Sequence, residues 1–217
     1  MADIFHEVDE EVRRERLQKL WERYSIYIIA LAVLIVAGIG AWRAYDWWLA
    51  KQAAAAGARF EQALTLSEQG KHAEAEQAFA NIAADAPAGY KVLARFRAAA
   101  ELAQTKPADG VKAYDQIAAD ASLGQSLQDL ATLRAGMLLV DSAPLADMEK
   151  RLAPLTEPGR TFRASARELL ALSAWHNHDV AGARKYIDMM TSDAETPPGA
   201  RARAEVLSAL IAAAGKS

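Results

Sequence analysis

His176 and His178, in the run His-Asn-His, come nearest to a ligand pair in this chain. Zinc takes four protein ligands, or three and a water, and no third or fourth donor stands near these two. The other histidines are His6, in a charged segment, and His72, in an expected inter-helix turn. Cysteine is absent, which removes thiolate metal sites, a Cys nucleophile, disulfides and an N-terminal lipid-modified cysteine. Glu101, Asp109, Asp115, Asp120 and Asp129 read as scattered carboxylates with no partner to tune a pKa. Gly-x-Ser-x-Gly, a P-loop and Gly-x-Gly-x-x-Gly are missing from the region after residue 48. Gly38 and Gly40 fall in an apolar run and make no nucleotide loop. The expectation is a protein that is not an enzyme, with no cofactor, no metal and no small-molecule substrate. A formal net charge of −3 and a pI near 5.9 give no reason to expect nucleic acid.

The apolar run is the dominant feature. Tyr24 to Trp42 holds 19 residues without a charge, about 28 Å of helix against a hydrocarbon core of ~30 Å. Aromatic residues stand at its ends, Trp21 and Tyr24 on one side and Trp42, Tyr45, Trp47 and Trp48 on the other, as at membrane interfaces. A cleaved signal peptide has a short basic start, a shorter apolar run and a small-residue cleavage site. Here 23 polar-rich residues come first, seven of them acidic, and Arg-Ala-Tyr-Asp-Trp-Trp follows. The segment reads as an uncleaved anchor. Arg13, Arg14, Arg16, Lys19 and Arg23 precede it, against Arg43, Lys51 and Arg59 after it. This bias places the N-terminus in the cytoplasm and the remainder across the membrane.

The chain then divides into residues 1–23, a cytoplasmic charged helical segment; 24–48, a transmembrane anchor with an aromatic belt; and 49–217, a periplasmic domain. In the first segment, Asp9–Arg13, Glu10–Arg14 and Glu15–Lys19 stand at i,i+4 with the acid leading, which favours helix. Phe5, Val8 and Val12 form one apolar stripe; Leu17, Leu20, Trp21 and Tyr24 form another.

After residue 48 the periodicity is helical and no run alternates as a strand would. Gly70, Pro87-Ala88-Gly89, Pro107, Pro144, Pro158-Gly159, Asn177 to Asp179 and Pro197-Pro198-Gly199 punctuate short helices. Apolar stripes run through Ala75, Ala78, Phe79 and Ile82; Val111, Tyr114, Ile117 and Ala118; Leu123, Leu127, Leu130, Leu133 and Met137; and Val180, Ala183, Ile187 and Met190. The stretch from Ala55 to Ala88 fits the ~34-residue tetratricopeptide pattern. Gly70 takes the turn, small Ala75 lets the two helices approach, Phe79 fills the space between repeats, and Pro87 closes the unit. Tyr114 and Tyr186 occupy the aromatic position in two weaker copies, and Met-Glu-Lys-Arg-Leu around Leu152 is a degenerate one. The apolar face of the final helix, after Arg201 and Arg203, reads as a cap. The fold class is all-α: a single N-terminal transmembrane helix followed by a tetratricopeptide-like helical solenoid.

A charged N-terminus, one span with Gly38 and Gly40 in its second half, Trp42-Arg43-x-Tyr45 beyond it and an Ala-rich repeat domain together resemble the ancillary SecYEG translocon subunit family (YfgM-like). The match in architecture covers nearly the whole chain; the residue-level match is concentrated in 24–87. The resemblance implies a single-pass protein of the bacterial inner membrane. Its periplasmic domain would associate with the Sec translocon and with a membrane-anchored periplasmic chaperone of the peptidyl-prolyl isomerase class. The reading is thus a membrane-anchored protein-interaction module helping the periplasmic handling of exported proteins. The alternative is an envelope-assembly or cell-division scaffold built on the same anchored solenoid.

Overall fold

The computed structural model describes residues 3–214. Among them there are only helices, nine α-helices and two 3-10 turns, and no strand. Two compact units meet between Ala54 and Ala55, where the sequence reading placed its division between Trp48 and Leu49.

Helix α1 runs from Asp3 to Glu68. It carries one stretch long and apolar enough to cross a membrane, and none of that stretch is buried by protein. Gly38 and Gly40 have open space where a side chain would stand. The ion pairs and the first apolar stripe expected in the charged segment, with His6 and Leu17, involve side chains outside the described residues; Leu20, Trp21 and Tyr24 of the second stripe are exposed.

In the second unit the helices alternate along the chain. The end of α1 is followed by α2 (His72–Asp85), α3 (Ala88–Thr105), α4 (Pro107–Ala118), α5 (Gln125–Leu139), α6 (Leu145–Leu152), α7 (Arg163–His176), α8 (Val180–Thr191) and α9 (Pro198–Ala214). The breaks follow from local chemistry. Gly70 has φ +73°, the left-handed conformation that glycine adopts without penalty just past a helix. There, Gly70 N–H donates to Ser67 O at 2.9 Å and Lys71 N–H to Leu66 O at 3.0 Å. Pro87 is the last residue before α3, and Pro107 is the first of α4, where a missing N–H costs nothing. Asp179 caps α8 by accepting from Gly182 N–H at 2.9 Å.

The core is a row of three clusters, each closed by the helix that follows. Ala63, Ala75, Phe79 and Ile82 are completed by Ala94 of α3. Ala99, Tyr114 and Ile117 are completed by Ala131 and Ala135 of α5. The third is the largest and includes Met148, Leu152, Leu170, Tyr186, Ile187, Met190, Leu207 and Ile211. The closest packing is between helices consecutive in the chain, as in a solenoid, although the third cluster joins α5 through α9 in one core. The degenerate copy is α6, where Met148 and Leu152 are fully buried. At the C-terminal end α9 buries Ala200, Ala204, Leu207 and Ile211 and leaves Val206 and Leu210 exposed.

One stripe is corrected. Leu123, Leu127, Leu130, Leu133 and Met137 do not form a buried face of one helix. Leu123 belongs to a separate 3-10 turn, cut off from α5 by Gly124 at φ +73°. On α5 the buried residues are Asp129, Ala131, Leu133, Ala135 and Gly136, while Met137 is 47% exposed. Small residues let α5 press against its neighbours; a Cβ on Gly136 would lie 3.0 Å from Leu152 Cδ2. Val180 is likewise exposed at the start of α8.

Candidate protein-interaction surface

His176 ends α7, and His178 lies in the following turn at φ +62°. They line an open groove of about 470 Å³ with Trp175, Val180, Ile211 and Ala214. His176 Nε2 is 3.4 Å from Asp141 Oδ1, an exposed carboxylate. Among the described residues no three His, Asp or Glu side chains are grouped to hold a metal ion. His72 opens α2, and its Nδ1 is 2.7 Å from Glu101 Oε2. The Ser67 hydroxyl donates to Glu101 Oε1 at 2.6 Å. Serine, histidine and glutamate thus meet, but with the carboxylate in the middle. The hydroxyl has no bond to the imidazole, so the group lacks the nucleophile–base contact of an acyl-transfer triad. It ties α1, α2 and α3 around a carboxylate buried to 5% exposure.

The five acids are not isolated, and at Asp120 the expectation that no partner tunes a pKa is overturned. Besides Glu101, Lys112 reaches Asp109 at 3.0 Å, Arg95 reaches Asp120 at 2.6 Å, and Arg160 reaches the buried Asp129 at 3.1 Å. Asp115 accepts two bonds from the Arg151 guanidinium. The Ser122 hydroxyl, and next Arg95, pull the Asp120 carboxyl down to about 2. Lys112 and Ser122 are local partners, three and two residues from their acids, whereas Ser67, His72, Arg95, Arg151 and Arg160 stand 25 to 36 residues away, beyond the window in which a sequence pattern is read.

The distances along the chain form a pattern of their own. Ser67 to Glu101 is 34 residues. Asp115 to Arg151 is 36, Glu149 to Tyr186 is 37, and Glu168 to Arg203 is 35. Asn177 Nδ2 donates to Ala143 O across 34. Each bond therefore joins positions about one repeat apart. Residues 18–196 match the tetratricopeptide repeat-like domain. The chain belongs to that family. No curated protein and no solved structure gives a match.

In this tetratricopeptide repeat-like protein, Ala75 and Phe79 are fully buried, and Tyr114 and Tyr186 nearly so. Phe79 meets Phe60 edge-on, with ring centroids 5.0 Å apart. Tyr186 donates to Glu149 Oε1 at 2.7 Å; burial, and then that carboxylate, push its pKa up. Trp21, Tyr24, Trp42, Tyr45, Trp47 and Trp48 are all exposed. Arg23 lies over the Tyr24 ring at 5.9 Å and Lys51 over the Trp47 ring at 5.3 Å.

A hub around Asp193 carries no local signature in the sequence. Arg163 binds Asp193 through Nε at 2.9 Å and Nη2 at 3.0 Å. Arg167, which is 7% exposed, adds a bond at 2.6 Å. Arg167 also donates to Thr156 O and Met189 O, tying the second 3-10 turn (Ala153–Thr156), α7 and α8 together. The Glu195 backbone N–H, then Arg163 and Arg167, hold the Asp193 carboxyl well below the usual carboxylate range. A carboxyl depressed in the folded state stabilises fully above its unfolded pKa of ~3.9, and that stabilisation is lost as pH falls toward the folded value. Asp193 and Asp120 both act in this direction. Thermal unfolding should hold level from neutral pH to about 5 and fall steeply below about 4. Asp193→Asn should lower the neutral-pH midpoint and flatten the acid limb. An acid limb as steep as that of the wild type would disprove the assignment.

The α5 stripe makes a surface. Leu127, Leu130, Arg134, Met137 and Asp141 recur at helical spacing, and none of the three apolar residues belongs to a core cluster. On α3 the exposed residues Leu93 and Arg97 stand four apart. The two helices share the cluster around Tyr114.

Proposed function

We propose that this chain is a membrane-anchored protein-interaction module, an accessory subunit of the Sec translocon in the bacterial inner membrane. Its N-terminus is cytoplasmic, and its repeat domain works in the periplasm beside a membrane-anchored chaperone of the peptidyl-prolyl isomerase class. The observation that carries the anchored module is the extent of the family match, which begins at residue 18 and takes in the apolar stretch along with the repeats. The cation–aromatic pairs at Arg23–Tyr24 and Lys51–Trp47 support it. Tyr24 and Trp47 are about 34 Å apart along a helix, close to the thickness of the hydrocarbon core, and such pairs suit the headgroup layer. Repeat domains of this kind serve as protein-binding scaffolds and are generally not catalytic. The translocon assignment rests on the resemblance across residues 24–87.

The test is mild-detergent co-purification of the C-terminally tagged chain from its own membranes. Translocon subunits and a periplasmic isomerase-type chaperone are the expected companions. Division or cell-wall proteins without the translocon would overturn the assignment in favour of a scaffold. Topology has its own measurement. The chain has no cysteine, so Ser122→Cys gives one label site on an exposed turn. A membrane-impermeant maleimide added outside spheroplasts should label it; labelling only after lysis would reverse the orientation.

A further inference from the structure

Salt bridges occupy most of the arginines in the repeat unit. Arg59, Arg95, Arg151, Arg160, Arg163, Arg167 and Arg203 each hold a carboxylate. Arg201 holds the Asp193 carbonyl. Among the described residues of this unit, Arg97, Arg134 and Arg184 have no hydrogen bond or ion pair. Arg184 stands alone on α8. Arg97 and Arg134 flank one place. Both lie near enough to the Tyr114 hydroxyl for their charge to draw its pKa down, against the larger upward push of burial. That hydroxyl, on α4, donates to Phe96 O of α3 at 3.4 Å, and its ring shares a cluster with Ala131 and Ala135 of α5.

Each guanidinium has exposed apolar surface beside it on the same helix. Leu93, 55% exposed, is one turn before Arg97; Met137, 47% exposed, is one turn after Arg134. Leu127 and Leu130 extend the α5 side at the spacing of one helix face. The acid nearest on α3, Glu101, is already taken by Ser67 and His72. Asp141, farther along the α5 stripe, faces His176. An exposed arginine gains by meeting a carboxylate, and among the described residues neither Arg97 nor Arg134 is paired with one. Apolar groups placed between and beside the charges add area that a partner can cover.

We propose that the faces of α3 and α5 on either side of the Tyr114 cluster dock a protein segment that carries acidic side chains between apolar ones. Its carboxylates meet Arg97 and Arg134, and its apolar side chains cover Leu93, Leu127, Leu130 and Met137. The inference rests on the reading of the domain as an interaction module and does not depend on which machine it serves. Charge sets the register and speeds encounter, while the apolar contacts set the lifetime of the complex.

The probe is a short fluorescent peptide with leucines at i, i+4 and i+7 and glutamates between, and a twin with glutamine for every glutamate. Both are titrated against the full-length chain in detergent micelles and against empty micelles. The glutamate peptide should bind the protein at least about tenfold more tightly than its twin. R97Q/R134Q should remove that preference, and so should raising salt from about 50 to about 500 mM. Arg184→Gln should leave it intact. Both changed arginines are exposed, so circular dichroism should show an unaltered fold. Equal binding of the two peptides, binding of neither, or a preference that survives R97Q/R134Q would each overturn the proposal. A translocon complex recovered alongside equal peptide binding would remove this surface and leave the module reading in place.

Discussion

Phe79→Ala should cost about 3–5 kcal/mol of stability, a large share of the ~5–15 kcal/mol that holds a typical domain folded. The side chain is fully buried. Its ring stands edge-on to Phe60 from α1, and Phe60 in turn lies 5.9 Å from Tyr90 of α3. Removing the ring therefore opens a hole where three helices meet. The surrounding residues are poorly suited to refill it, because Ala63, Ala75 and Ala94 carry only methyl groups. Phe79→Leu keeps most of the volume and should lose much less. Urea unfolding of the full chain in micelles, followed by far-ultraviolet circular dichroism, measures both. Hydrogen exchange tests where the loss falls. In a fold held by neighbour contacts, α2 and α3 should lose protection first, while α7 and α8, in a different cluster, keep theirs. Uniform loss would mean that the clusters fold as one cooperative block.

That first cluster was legible because its signals are local. Gly70, Ala75, Phe79 and Pro87 sit at spacings fixed by one turn and two short helices, and each residue type has a steric reason to be there. The stripe on α5 misled for an equally physical reason. Leucine at i, i+4 and i+7 reads alike whether the helix faces its own core or an open surface. What decides is the competing face, and there Ala131, Ala135 and Gly136 bury closely with little hydrophobic signal of their own. The polar ties were out of reach for a third reason. Ser67 and Glu101, Arg163 and Asp193, and Glu168 and Arg203 are unremarkable singly. They become partners only after the repeats stack. The repeat period was itself a signal, since acids and bases about 35 residues apart are candidates for such ties once the period is known. Arg97 and Arg134, 37 residues apart, fall on that same register without a carboxylate.

Gly110→Val should be the other severe change, and it tests the close approach of α3 and α4. A Cβ at position 110 would stand 2.5 Å from Ala103 Cβ, 2.7 Å from its Cα and 3.0 Å from its N. Only the first is a side-chain contact; the others are helix backbone, which cannot rotate aside. Even Gly110→Ala, which favours helix by about 1 kcal/mol through propensity, should come out destabilising. Valine adds two more methyl groups and is held to few rotamers, so the helices must part. A cost of about 3 kcal/mol or more follows, at the upper end of overpacking. The Tyr114 ring, one turn on, and Ile117 would lose contact with Ala99 and Phe96 across the opened gap. Ala103→Gly supplies the control. Paired with Gly110→Ala it removes the closest contact and leaves the two backbone ones. The double variant should recover part, not all, of the single variant's loss, a coupling that unfolding midpoints of the four chains would measure. Full additivity would mean that the two helices stand farther apart than this geometry places them, and Gly110 would then be replaceable by any small residue.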